Sequence, residues 1–139
     1  MIDSTEMKKR IFAALEEAGN EHADALLNTV IDPTGDPTEP AMFERCLREL
    51  FADGLIVMGT VCIPRGRESL TDDEGLAEIG KISAHYKFHP SDGIWLDSRF
   101  GGPPYYQTPE PEVILTDAGF EKSVSVVEKI GHNWWRPKR

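Results

Sequence analysis

The stretch MFERCLRELFADGLI, residues 42–56, is the most informative part of this 139-residue chain about its architecture. Its apolar residues recur at spacings of three and four, the period of an amphipathic helix. They are Phe43, Cys46, Leu47 and Leu50. Gly54 follows as a left-handed stop, and residues 55–63 are rich in β-branched and apolar side chains. The stretch therefore predicts a helix that passes directly into a strand.

Two further helices are predicted before this one, each from an apolar stripe with the same period. The stripes consist of Met7, Ile11, Ala14, Leu15 and Ala18, and of Ala23, Leu26, Leu27 and Val30. Asp3 is suited to cap the first helix, and the pair Asp32-Pro33 ends the second because proline disfavours helix at the preceding residue. Three residues are equally suited to cap the start of the third helix: Asp36, Thr38 and Glu39.

The segment from residue 64 to residue 104 has a pattern of its own. Thr71 and Glu74 form a capping box that predicts a short helix. Residues 82–89 alternate between apolar and polar side chains, which predicts a half-buried strand. Residues 94–96 predict a second strand, paired with the first across an intervening turn.

The last predicted elements are a strand at Val113–Leu115 and a helix capped by Thr116 that ends near Gly131. Trp134 and Trp135 follow in a basic tail. Paired tryptophans beside an arginine suit a protein interface. Folding back onto the first helix is equally compatible with the sequence.

Composition excludes several classes of protein. The longest aliphatic run, Leu55–Met58, is far shorter than the roughly 20 residues of a membrane-spanning helix. The acidic start lacks the apolar core of a secretory signal. Two cysteines, Cys46 and Cys62, do not make a disulfide framework. We therefore expect a cytoplasmic protein with free, buried thiols and no membrane contact.

Motifs for catalysis and cofactor binding are missing from the sequence. It contains no P-loop, GxGxxG, GxSxG, CxxC or HExxH pattern. His85 and His89 lie four residues apart, and on the predicted strand this spacing spans roughly 13 Å, too far for one metal ion. We expect a non-enzymatic protein without cofactor or metal.

The order of three helices, a strand, a strand and a helix resembles a winged helix-turn-helix domain. The step Asp53-Gly54-Leu55-Ile56 is similar to the family's helix-into-strand signature, and Tyr105-Tyr106 through Leu115-Thr116-Asp117-Ala118-Gly119 to its return strand. The chain looks most like regulators of the PadR and MarR kinds. The resemblance implies an α+β fold in one domain, residues 1–139. That domain has three N-terminal helices, a small antiparallel sheet, a C-terminal helix and an insertion, residues 64–104, in an enlarged wing.

The resemblance also implies a DNA-binding transcriptional regulator that reads the major groove with its third helix. The implied nucleic-acid contacts are Thr38, Ala41, Glu44, Arg45, Arg48, Arg65 and Arg67. The insertion would then sense a signal or support a homodimer. An alternative is that Arg45 and Arg48 belong to a solvated helix face, paired with Glu44, Glu49 and Glu39.

Charge favours a different partner. The chain has 15 basic and 24 acidic residues, a net charge of −9, and 12 acids against 5 bases lie in residues 1–54. Binding to duplex DNA depends on Lys and Arg that neutralise phosphates. The second hypothesis is therefore an acidic winged-helix module, such as an antagonist, adaptor or immunity-type protein, that binds a basic protein rather than DNA.

Overall fold

The structure is a computed structural model that describes residues 2–62, 66–100 and 109–136, without the side chain of Cys62. Within these residues the chain forms six helices and six strands. They are α1 (Ser4–Leu15), β1 (Asn20–His22), α2 (Ala23–Val30), α3 (Thr38–Ala52), β2 (Ile56–Cys62), β3 (Gly66–Ser69), α4 (Asp72–Ile79), α5 (Ile82–His85), β4 (Tyr86–His89), β5 (Ile94–Asp97), β6 (Glu110–Leu115) and α6 (Asp117–Ile130).

Four strands form an antiparallel sheet in the order β1-β6-β2-β3. The two strands predicted on either side of the insertion, β2 and β6, are neighbours, with Met58 opposite Val113. Strands β4 and β5 form a separate hairpin in which Phe88 lies opposite Trp95. The predicted α+β class is confirmed.

The core lies between the helices and one face of the sheet. The predicted apolar stripes of the second and third helices point into it, and the third stripe is at most 2% exposed at each position. Met7, Ile11 and Leu15 of the first stripe are buried as well. The prediction is wrong for Ala18, which lies beyond the end of α1 and is exposed. The largest fully buried side chains include Phe43, Met7, Ile11, Leu26, Leu47, Ile56 and Ile79. Burial of these stripes, rather than helix propensity, holds the short helices in place.

Most predicted helix ends are confirmed. Asp3 accepts a hydrogen bond from the Glu6 amide at 2.8 Å, Thr71 and Glu74 form the complete capping box, and Thr116 accepts from an amide in the first turn of α6. At the start of α3, Pro37 is the N-cap and makes no side-chain cap bond. The carboxylate of Asp36, one of the three predicted caps, accepts a hydrogen bond from the Thr38 amide at 2.9 Å.

One predicted strand is partly wrong, and two strands were not predicted. Residues 82–85 form the helix α5 instead of the first half of a strand. Ile82 and Tyr86 are both buried, and a spacing of four satisfies helical and alternating patterns alike. β1 has three residues and β3 is exposed throughout, so neither carries an apolar signal.

The C-terminal tail folds back onto the first two helices, which is one of the two arrangements that the sequence left open. The indole N–H of Trp134 donates to Glu6 at 2.9 Å, and that of Trp135 donates to the Thr29 carbonyl at 3.1 Å. The Arg10 guanidinium lies 5.5 Å from the centroid of the Trp135 ring, within range of a cation–π contact. Among the described residues, no helix combines the length and apolar character that crossing a membrane requires.

Candidate functional site

The outer face of α3 carries four of the residues that the family resemblance selects. Thr38, Ala41, Arg45 and Arg48 are exposed along one line of the helix, at spacings of three, four and three. The side chains of Arg45 and Arg48 are 68% and 56% exposed. The structure therefore brings these residues together on a surface that a macromolecule can reach.

Both arginines on this line are paired with carboxylates of their own helix. Nη2 of Arg48 lies 2.9 Å from Oε2 of Glu44, and Nε of Arg45 lies 3.9 Å from Oε2 of Glu49. Exposed pairs of this kind contribute at most about 1 kcal/mol. These two pairs match the predicted solvated face, but the predicted pairing with Glu39 is wrong because that side chain is buried elsewhere.

Glu44 does not lie on the exposed line. Its side chain is 19% exposed, and its Oε1 accepts a hydrogen bond from the amide of Ser83 in α5 at 3.0 Å. The Glu44 carboxylate thus binds Arg48 through one oxygen and the Ser83 amide of the insertion through the other. The nucleic-acid contact that the resemblance implies for Glu44 would compete with both of these partners.

Arg67, one of the implied nucleic-acid contacts, lies on β3. Its Nε is 2.9 Å from Oε1 of Glu112, and the other oxygen of that carboxylate accepts from the Asn20 side chain at 3.0 Å. Glu112 is 2% exposed, so Arg67 neutralises a buried charge that links three strands. Arg65 lies outside the described residues.

Glu39 connects the insertion to the loop between α2 and α3 by hydrogen bonds. This carboxylate accepts hydrogen bonds from the Thr34 amide and hydroxyl, from the Gly35 amide at 3.2 Å, and from the indole N–H of Trp95 at 3.0 Å. Glu39 is 5% exposed, and a buried carboxylate is tolerated where donors surround it. The residue that the sequence offered as a helix cap therefore joins two parts of the fold.

Side chains of α2 hold the hairpin in the manner of a neighbouring strand. The Asn28 side chain donates to the Trp95 carbonyl at 2.7 Å and accepts from the Trp95 amide at 2.8 Å. The Asp97 amide donates to Asp24 at 3.1 Å. These residues were missed by sequence reasoning, since a single Asn within a helix is not a motif. The insertion is thus bound directly to α2 by these hydrogen bonds.

The insertion adds negative charge beside α3, against which α4 and α5 pack. Asp72, Asp73 and Glu74 form the exposed first turn of α4, where the positive end of the helix dipole favours acids. Hydrogen bonds from Thr71 lower the pKa of Glu74. Within the part of the chain that the structure describes, no cationic side chain forms an ion pair with any of the three acids.

The described residues contain no metal-binding cluster, and the cysteine side chain among them is buried. No cluster of three or more His, Cys, Asp or Glu side chains there is arranged to hold a metal ion. Cys46 is a buried free thiol, as predicted, and its burial raises its pKa to about 11. A thiol of this kind is protonated near neutral pH and is a poor nucleophile.

Comparison with known protein families, with curated proteins and with solved structures finds no match to this chain.

Proposed function

We propose that the chain is a non-enzymatic winged-helix module that binds a basic protein partner through the α3–α4 face. This face consists of the exposed side of α3, the helix α4 and the start of α5. Its bases are Arg45, Arg48 and Lys81, and its acids are Glu44, Glu49, Asp72, Asp73, Glu74 and Glu78.

Support for the winged-helix part of the proposal comes from connectivity. The short strand β1 lies between α1 and α2 in sequence and pairs with β6, and β6 in turn pairs with β2. The strand β2 follows α3 directly. Three helices, with one short strand between the first two, thus come before β2, and α2 and α3 pack against the sheet. The two central strands of this sheet, β6 and β2, are the ones on either side of the insertion in sequence.

The main support for the proposal is that each of the three bases of this face forms an ion pair with one of its acids. Arg45 and Arg48 are paired within α3, and Lys81 is paired with Glu78 at 3.2 Å. The three acids that open α4 have no such partner among the described residues. Glu49 and Glu78 are also paired with Lys8 and Arg99 from outside this face, so its unpaired negative charge is that of the three α4 acids.

This charge distribution favours a cationic protein over a nucleic acid. A duplex would bring phosphates against unpaired carboxylates and would have to draw both arginines away from their glutamates. A Lys- and Arg-rich protein surface meets the same carboxylates with complementary charge. Such complementarity chiefly raises the association rate and lowers the affinity for wrong partners.

Binding to DNA through Arg45, Arg48, Arg65 and Arg67 is the second candidate. It is favoured by the high exposure of the two α3 arginines, since helical pairs worth about 0.5 kcal/mol exchange readily for phosphate contacts. In this case Thr38 at the start of α3 would approach the DNA backbone.

The two candidates are separated by binding measurements at about 0.05 M and about 0.2 M salt. We expect the chain to bind a blocked Lys/Ala peptide at the lower salt and to show no shift with mixed-sequence duplex DNA. The double variant D72N/D73N should slow association with the peptide several-fold. The matched control D117N/E121Q removes two exposed acids from the first two turns of α6 and should leave the rate unchanged.

Two outcomes would overturn the proposal. Equal effects of the α4 and α6 substitutions would mean that only net charge attracts the peptide. A salt-dependent shift with duplex DNA that is lost in R45A/R48A would establish the second candidate instead.

A further inference from the structure

A cavity of about 500 Å³ opens between α1, α6 and the end of α3. Its floor is apolar, with Phe12 and Leu50 only 4% and 2% exposed. Val126 and Ile130 of α6 continue the apolar surface towards solvent. The volume lies within the range of cavities that bind small molecules.

Lysines surround this apolar floor. Four of the seven lysines of the chain line the cavity, in a protein whose net charge is −9: Lys8, Lys9, Lys122 and Lys129. Lys8 is paired with Glu49 at 3.0 Å. Within the described part of the chain the other three form no ion pair, and Asp53 is the single acid of the lining. The cavity therefore concentrates positive charge that the rest of the surface lacks.

The two helices contribute matching faces. On α1, Thr5, Lys8, Lys9 and Phe12 follow each other at spacings of three, one and three. On α6, Lys122, Ser125, Val126 and Lys129 repeat that spacing. At 1.5 Å per residue these faces are about 10–12 Å long. Each of them supplies ammonium groups, one hydroxyl and an apolar side chain to an elongated groove.

We propose that this cavity binds an unbranched aliphatic carboxylate. The carboxylate lies among Lys9, Lys122 and Lys129, and the hydrocarbon chain covers Phe12 and Leu50. Charge complementarity selects the anionic head, because each ammonium group donates to carboxylate oxygens. The apolar floor selects the tail, because burial of methylene groups removes them from water.

Other occupants fit the cavity less well. A phosphate of a nucleic acid would leave the apolar floor unfilled. A second copy of the chain, docked by a two-fold contact at this face, would set lysines against lysines. An elongated groove with cations at its rim and aliphatic side chains below suits an amphiphile with a single negative head.

Titration calorimetry with sodium decanoate below its micelle concentration tests this site. We expect saturable binding of one decanoate per chain, with affinities for butyrate and for decanol at least tenfold weaker. The double variant K122Q/K129Q should weaken decanoate binding about tenfold. The matched control K87Q/R136Q removes two exposed cations that do not line the cavity and should bind like the wild type.

A second variant probes the apolar part of the site. Val126→Trp fills the groove and should abolish decanoate binding while all four lysines are kept, with circular dichroism to verify the fold. Four results contradict the proposal: no saturation, several decanoates per chain, decanol binding as tightly as decanoate, or equal losses in K122Q/K129Q and K87Q/R136Q. The α4 acids are unchanged in these variants, so this test and that of the protein-binding proposal fail independently.

Discussion

The carboxylate of Glu39 accepts a hydrogen bond from the indole N–H of Trp95 at 3.0 Å, although the two residues are far apart in the sequence. Glu39 opens α3, and Trp95 lies on the hairpin of the insertion. The bond joins α3 to the insertion. It lies inside the protein, since both residues are at most 5% exposed. It explains how the insertion stays fixed beside the candidate binding face.

Glu39→Ala should lower the free energy of unfolding by about 2–4 kcal/mol, because it removes the acceptor shared by donors on Thr34, Gly35 and the buried indole of Trp95. Glu39→Gln keeps one carbonyl oxygen and should lose less. Urea denaturation measures both. The control Glu121→Ala changes an exposed side chain of α6 and should stay within about 0.5 kcal/mol of the wild type. Equal stability of the Glu39→Ala and control variants would refute this role.

Gly119→Ala should strongly destabilise the contact between α6 and the start of β2. A Cβ at Gly119 would lie 1.9 Å from the carbonyl oxygen of Leu55, so the helix would have to move away from the backbone. We expect a loss of about 3 kcal/mol or more, measured as a lower melting temperature.

The matched control is Gly80→Ala at the end of α4. The nearest atom to a Cβ there is 3.5 Å away, and its φ of −65° suits any residue. We expect unchanged stability or a gain of up to about 1 kcal/mol. If both glycine variants melt at the same temperature, the close approach at Gly119 has no energetic importance.

Trp135→Ala should detach the C-terminal tail from the first two helices. The variant loses the hydrogen bond to the Thr29 carbonyl, the cation–π contact with Arg10 and part of the buried ring. We expect about 2 kcal/mol less stability by urea denaturation. Trp135→Phe keeps an aromatic ring and should lose only about 1 kcal/mol. Wild-type stability in Trp135→Ala would mean that the tail does not stabilise the fold.

Cys46 should resist alkylation in the folded protein. With its pKa raised to about 11 by burial, only about 0.1% of the thiol is ionised at pH 8. Cys62→Ser leaves Cys46 as the single thiol, and iodoacetamide should label it slowly between pH 7 and pH 9 and quickly in urea. Fast labelling without denaturant would contradict the buried position.

Local signals predicted most of the fold. The stripes at spacings of three and four identified the first three helices, and the polar residues Asp3, Thr71 and Thr116 fixed where their helices begin. These signals are short-range, since a cap or a stripe is read within one or two turns. The hairpin β4–β5 was predicted for the same reason, because its turn lies between adjacent strands.

The remaining features depend on contacts between distant parts of the chain. β1 exists because its three residues pair with β6, and nothing in the sequence Asn20–His22 indicates this. The site prediction placed Glu44 on an outward face, whereas the amide of Ser83 from the insertion covers it. Where an insertion lies on its host determines which side chains stay exposed, and periodicity carries no information about that position.

The hold of Asn28 on both backbone groups of Trp95 has a consequence for the architecture as a whole. Deletion of the insertion would leave polar groups of α2 and of the loop before α3 without their hydrogen-bond partners. It would also expose the core residues that the insertion covers. We therefore expect the segment and the rest of the chain to unfold together rather than as two separate units.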